Sequence, residues 1–155
     1  MGEANLDQAN RAFGSVLGAF IGDAICAYLE FAGYISNEML EEAFLLQGGG
    51  RLDVGPGQIT DDSEMAMCLL HSLTSQEKEN MKTLKVGIKS ILDLNEVQKY
   101  FGMWYKSDPF DIGFTTRSAL QVIDLEKLDP KASFMQTQKY TYGSESNGCL
   151  MRITP

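Results

Sequence analysis

Residues 57–67 read Gly-Gln-Ile-Thr-Asp-Asp-Ser-Glu-Met-Ala-Met, a glycine-led turn that runs straight into an apolar-periodic helix. Met65, Ala66, Leu69 and Leu73 follow at helical spacing, and Asp61 with Glu64 three residues on has the form of a capping box. Thr60, Asp61 and Asp62 therefore stand at the mouth of a helix. The helix dipole stabilises an acid in its first turn by about 0.3–1 kcal/mol, so capping accounts for one carboxylate. A cap needs only one, however. Three hard oxygen donors in consecutive positions also suit a Mg²⁺ or Mn²⁺ site.

Upstream, residues 12–31 read AFGSVLGAFIGDAICAYLEF. Phe13, Val16, Leu17, Phe20, Ile21, Ala24, Tyr28 and Leu29 form one apolar face, which predicts a buried helix. Gly14, Gly18 and Gly22 recur every four residues along it. Each costs a helix about 1 kcal/mol relative to Ala, so the stripe predicts another backbone passing close by. Asp23 and Glu30 lie seven apart on one face, either as solvent-facing acids or as part of a site. Asp23 also interrupts the apolar run, and no uncharged stretch approaches the length of about 20 residues that a membrane span needs. Near the other end, Gly143, Ser144, Ser146, Asn147 and Gly148 make a small-residue loop, with Arg152 after it. Its backbone N–H groups are suited to cradling a phosphate, although such loops are often only turns. The chain carries no Walker lysine pattern and no GxGxxG after a strand.

Between these segments the helical period persists. Met81, Leu84, Ile88, Ile91 and Leu92 make one face, and Val97, Tyr100, Phe101, Trp104 and Tyr105 another, closed by Asp108-Pro109. The aromatic cluster reads as core. Thr116 is placed to cap a short helix through Ala119, Leu120 and Ile123, with Asp129-Pro130 ending it. No stretch alternates over strand length. The glycine-rich run Gly48 to Gly57 reads as a flexible approach to Thr60, or as a plain connector. His71 reads as an ordinary helical position.

Composition is that of a soluble, cytoplasmic domain: 155 residues, 44% hydrophobic and 22% charged. A net charge of −8 argues against a nucleic-acid backbone as partner. Glu3 and Asp7 stand where the basic region of a signal peptide belongs. Cys26, Cys68 and Cys149 are odd in number and without CxxC spacing, so they read as reduced thiols.

Taken together, the motifs resemble the ADP-ribosylglycohydrolase family, which includes the dinitrogenase reductase-activating glycohydrolases, ADP-ribosyl-protein hydrolases and J1-type crystallins. The resemblance lies in Gly18 to Ala24 with Glu30-Phe31, in Thr60-Asp61-Asp62-Ser63-Glu64-Met65, and in Ser146 to Pro155. A weaker likeness joins them through Trp104-Tyr105, Pro109, Asp111-Ile112-Gly113 and Thr115-Thr116-Arg117. All four agree in order and spacing across essentially the whole chain.

The resemblance implies an all-α fold, a compact multi-helix orthogonal bundle of which residues 1–155 form the N-terminal half, truncated at the C-terminus. It implies two Mg²⁺ or Mn²⁺ ions and removal of ADP-ribose from a modified protein or a small conjugate. Thr60, Asp61 and Asp62 would be metal ligands, with Asp61, Asp62 and Glu30 the catalytic acids. Gly143, Ser144, Glu145, Asn147 and Gly148 would line diphosphate and ribose. Nearby carboxylates suit the oxocarbenium-like state of glycosidic cleavage, and a metal pair can orient hydroxyls and activate water. Which acid is the base stays open, as does the modified residue, arginine, serine or another. The family's second ligand motif, Asp-x-Asp followed by Ser or Thr, does not occur here. A truncated gene model and a short non-catalytic relative that binds ADP-ribose or serves a structural role both fit that departure.

Overall fold

A computed structural model describes residues 3–80 and 92–154. The face formed by Met81, Leu84, Ile88 and Ile91 lies outside them. The described residues are helical, with α1 Glu3–Leu29, α2 Asn37–Phe44, α3 Asp61–Asn80, α4 Leu94–Lys106, α5 Phe114–Leu120 and α6 Pro130–Tyr140. The only pairing of strand type among them is an isolated antiparallel bridge, Gly49 to Val54. The chain divides into two units, one running up to Ser63 and taking in Thr154, the other Glu64–Ile153.

Three helix starts follow from their caps. Ser36 accepts from the Met39 amide at 3.2 Å, Asp93 from Asn95 at 2.8 Å and Asp129 from Ala132 at 2.9 Å. Asp129-Pro130 thus opens α6 and does not close the preceding helix, because proline's missing N–H and fixed φ suit the first helical position. Thr116 is not a cap either. Helix α5 starts two residues earlier from Gly113, without a side-chain cap, and Thr116 lies inside it, 7% exposed. Helix α4 ends where the sequence indicates, at Ser107 before Asp108-Pro109.

In the first unit α1 packs on α2, where Tyr28 donates a hydrogen bond to Glu42. Ala24 and Ala27 are buried, but Phe13 is 69% exposed and Leu17 and Ile21 are each 44% exposed. The expectation of a buried helix therefore fails among the described residues, whose α2 covers one side only. Gly14, Gly18 and Gly22 meet no atom within 4 Å, so no close backbone crosses the glycine stripe there. By length and composition alone, Leu6–Leu29, with mean hydropathy 1.6, passes as a membrane span despite Asp23. Core helices of soluble proteins pass the same test, and Asp23 is engaged as described below.

The run Gly48 to Gly57 is not a loose approach. Gly49 and Val54 exchange two backbone hydrogen bonds, and the Gly57 amide donates to Leu46 at 2.9 Å. Gly50 sits at φ +70° with its would-be Cβ 2.3 Å from the Tyr28 carbonyl, so the glycine is required by contact with α1.

In the second unit Met65, Trp104 and Leu120 form the core, with Cys68, Phe101, Tyr105, Ile112, Ile123 and Met151 packed against them. The aromatic cluster is core, as its spacing suggests. The Trp104 indole donates to Glu64 at 2.7 Å, satisfying a nearly buried N–H. A Cβ on Gly102 would stand 2.7 Å from Ile123 and from Leu125, so the glycine admits both side chains. Burial, then the charge of Glu64, pushes the Cys68 thiol up to about 11, and all three cysteines are free. His71 is exposed and stacks on Tyr100, ring centroids 5.6 Å apart.

Gly50→Ala is expected to destabilise the chain by about 2–4 kcal/mol, from left-handed strain plus the clash with Tyr28. Gly57→Ala, at φ +65° with nothing within 4 Å, should cost only about 1 kcal/mol. Urea unfolding of both variants measures the difference, and equal losses would remove the contact with Tyr28 from the account.

Candidate functional site

The start of α3 is held by a residue from another helix. Asp23 of α1 accepts the Thr60 amide at 2.9 Å and the Ser63 amide at 3.0 Å on Oδ2, and the Thr60 hydroxyl at 2.7 Å on Oδ1. This carboxylate takes two amide donors at the start of the helix and carries the charge that the dipole favours. Helix α3 begins at Asp61 itself, and the Glu64 carboxylate accepts from the Trp104 indole.

Thr60 is 2% exposed and Asp61 8%, while Asp62 is half-buried; both aspartates are engaged within the chain. The proton of the Thr60 hydroxyl is committed to Asp23, so the oxygen presents its lone pairs to any further partner. The neighbouring Ser63 Oγ is buried without a hydrogen-bond partner, an open valence beside the triplet. Glu30 lies in the same unit, half-buried and engaged, in the turn after α1. That turn carries Phe31 at φ +58°.

These oxygens have the donor chemistry of a hard divalent cation, which takes carboxylates and hydroxyls. Among the described residues, however, no three or more His, Cys, Asp and Glu side chains are gathered as a metal site. The triplet fits as part of a ligand set.

The second group of candidates lies in the other unit. Gly143 turns the chain at φ +75°, and Gly143 to Asn147 are exposed. Three of the loop's amides are bonded within the chain. The Ser144 amide donates to the Thr141 carbonyl at 3.0 Å, Ser146 to Ser144 Oγ at 3.2 Å and Gly148 to Ser146 Oγ at 3.3 Å. Short hydroxyl side chains two residues back capture such amides readily. What this loop turns outward is hydroxyl chemistry. A Cβ on Gly148 would stand 3.3 Å from Thr116 Oγ1, which fixes that glycine against α5.

Asp23 is the residue whose role the sequence did not disclose. Its signal was present, because a charge placed among Phe20, Ile21 and Ala24 requires partners. The identity of those partners, 37 and 40 residues away, is a tertiary fact. Asp23→Ala would leave the Thr60 and Ser63 amides and the Thr60 hydroxyl without their acceptor. A loss of about 3 kcal/mol is expected, against about 1 kcal/mol for Asp23→Asn, which keeps one acceptor oxygen. Thermal unfolding of both variants measures this, and wild-type stability in Asp23→Ala would contradict it.

A family model described as ADP-ribosylglycohydrolase matches residues 4–155. The ADP-ribosyl-[dinitrogen reductase] glycohydrolase of Rhodospirillum rubrum is 33% identical over 149 residues, which are 94% of this chain and 43% of that protein. The ADP-ribosylarginine hydrolase Tri1 of Serratia proteamaculans is 32% identical over 157 residues, 96% of this chain and 36% of its own length. The chain thus spans about two-fifths of the length of these relatives. On the match of the family model to residues 4–155, it belongs to the ADP-ribosylglycohydrolase family.

Proposed function

We propose that this chain carries the first metal-ligand motif and a substrate-contacting loop of a Mg²⁺- or Mn²⁺-dependent hydrolase that removes ADP-ribose from a modified protein side chain. The supporting observation is the Asp23 carboxylate of α1 holding the Thr60 and Ser63 amides, which fixes Thr60, Asp61 and Asp62, three hard-oxygen residues, at the start of α3. The relatives' names, which refer to dinitrogen reductase and to arginine, support a modified protein as the substrate class.

In this reading Thr60, Asp61 and Asp62 would hold the cation, and the chemistry it would supply is an electrophile for ribose hydroxyls and for a water molecule. Asp23, which accepts the Thr60 hydroxyl proton, would orient that oxygen for the cation, a positioning role of the kind outer partners play at metal sites. Glu30 lies beside the ribose as a carboxylate, its charge stabilising the developing oxocarbenium. Hydrolysis breaks the bond between the anomeric carbon and the side-chain nitrogen or oxygen. The carbon takes the hydroxyl of water, and the departing atom takes the proton. Gly143, Ser144, Glu145, Asn147 and Gly148 contact the ribose and diphosphate.

Isothermal titration of residues 1–155 with Mn²⁺ tests the ligand assignment. Asp61→Asn and Asp62→Asn should each weaken binding by about tenfold or more. Unchanged affinity in both would return the triplet to a structural role. Release of ADP-ribose from an arginine-modified peptide, assayed alongside, separates the two readings of the family. Mn²⁺ binding without turnover by this chain favours a binding or structural relative, whereas metal-dependent turnover favours the enzyme.

A further inference from the structure

The first turn of α3 holds a third carboxylate. Glu64 follows Asp61 by three residues in the same helix, and positions three apart are neighbours on a helix surface. Helical side chains lean toward the N-terminus of their helix, so a long acid at this position reaches back toward Asp61. By residue type alone, Glu64 is as fit to bind a hard cation as the two aspartates, and a carboxylate can do so through both oxygens.

The fold gives Glu64 a different partner. The Trp104 indole of α4 donates to Glu64 Oε2 at 2.7 Å. Trp104 is 8% exposed and packs in the core with Met65 and Leu120. An indole N–H can only donate, and a buried donor that loses its acceptor costs the desolvation of that group. Chelation of a cation by both Glu64 oxygens would therefore strip the indole of its acceptor. The number of oxygens offered is what separates the hard cations. Ca²⁺ takes about six to eight and accepts bidentate carboxylates, whereas the smaller Mg²⁺ keeps several waters and uses one or two carboxylates.

We propose that Trp104 is a positioning residue that sets cation specificity: by holding Glu64 Oε2, its indole keeps Glu64 out of the ligand set, so that Thr60, Asp61 and Asp62 favour Mg²⁺ or Mn²⁺ over Ca²⁺. The inference rests on the cation site proposed above. Ser63 Oγ, in the same turn and buried without a hydrogen-bond partner, is an independent sign that this turn has a further group to meet.

The chain has one tryptophan, so its indole N–H gives a single assignable ¹⁵N–¹H resonance. When the full chain is titrated with Mg²⁺, that resonance should keep its hydrogen-bonded shift through saturation. Movement to the position of an unbonded indole would show Glu64 leaving Trp104 for the cation, and would overturn the proposal. Calorimetry with Mn²⁺ and Ca²⁺ is the second arm. Trp104→Phe keeps an aromatic ring but frees both Glu64 oxygens, and should raise Ca²⁺ affinity relative to Mn²⁺ by about tenfold. That gain should vanish when Glu64→Gln is added, a dependence that a merely structural role for Trp104 does not produce. Glu64→Gln alone, whose amide oxygen still accepts from the indole, should keep the wild-type preference. An unchanged preference in folded Trp104→Phe, or a loss of Mn²⁺ binding in Glu64→Gln as large as in Asp61→Asn, would also overturn the proposal. If Trp104→Phe does not fold, the indole resonance of the wild-type chain decides. Absence of Mn²⁺ binding in the wild-type chain is a separate result, which would contradict the cation site itself and this inference with it.

Discussion

One carboxylate of α1 determines how the motif of α3 is used. Asp23 draws the Thr60 and Ser63 amides and the Thr60 hydroxyl onto its two oxygens, so the first turn of α3 is built on a charge from another helix. Hydrogen bonds to a charged acceptor are worth about 1.5–3 kcal/mol each, more than a capping side chain of α3 itself would contribute. The Thr60-Asp61-Asp62 triplet thus begins α3 on a charge supplied by α1.

The helical class, the start of α3, the span of α4 and the aromatic core around Trp104 were all legible in sequence, because periodicity and caps are local signals. Errors came where one local pattern serves two purposes. Asp129-Pro130 ends a helix as well as it starts one, and only the acceptance of the Ala132 amide decides. Thr116 looked like a cap, yet Gly113 in extended conformation starts α5. Gly48, Gly49 and Gly50 looked mobile because glycine is permissive, whereas Gly50 is there to admit the Tyr28 carbonyl. The Thr60-Asp61-Asp62 triplet and the terminal loop were visible as residue types. The use of the loop's amides on its own serine hydroxyls was not, because it depends on rotamers.

Much apolar surface remains uncovered among the described residues. Phe13, Leu17 and Ile21 of α1 and Phe134 and Met135 of α6 are all substantially exposed, and the chain spans 43% and 36% of the two relatives compared above. Soluble chains rarely leave apolar faces of this kind bare. The Asp23 cap lies within the first unit, and residues 143–148 lie within the second.

Hydrogen exchange of the Thr60 and Ser63 amides, followed residue by residue by NMR, tests the role of Asp23 most directly. In the wild-type chain both amides should be protected, and in Asp23→Ala both should exchange far faster while the amides of α4 and α6 keep their rates. Wild-type protection of Thr60 and Ser63 in the absence of the Asp23 carboxylate would contradict the account.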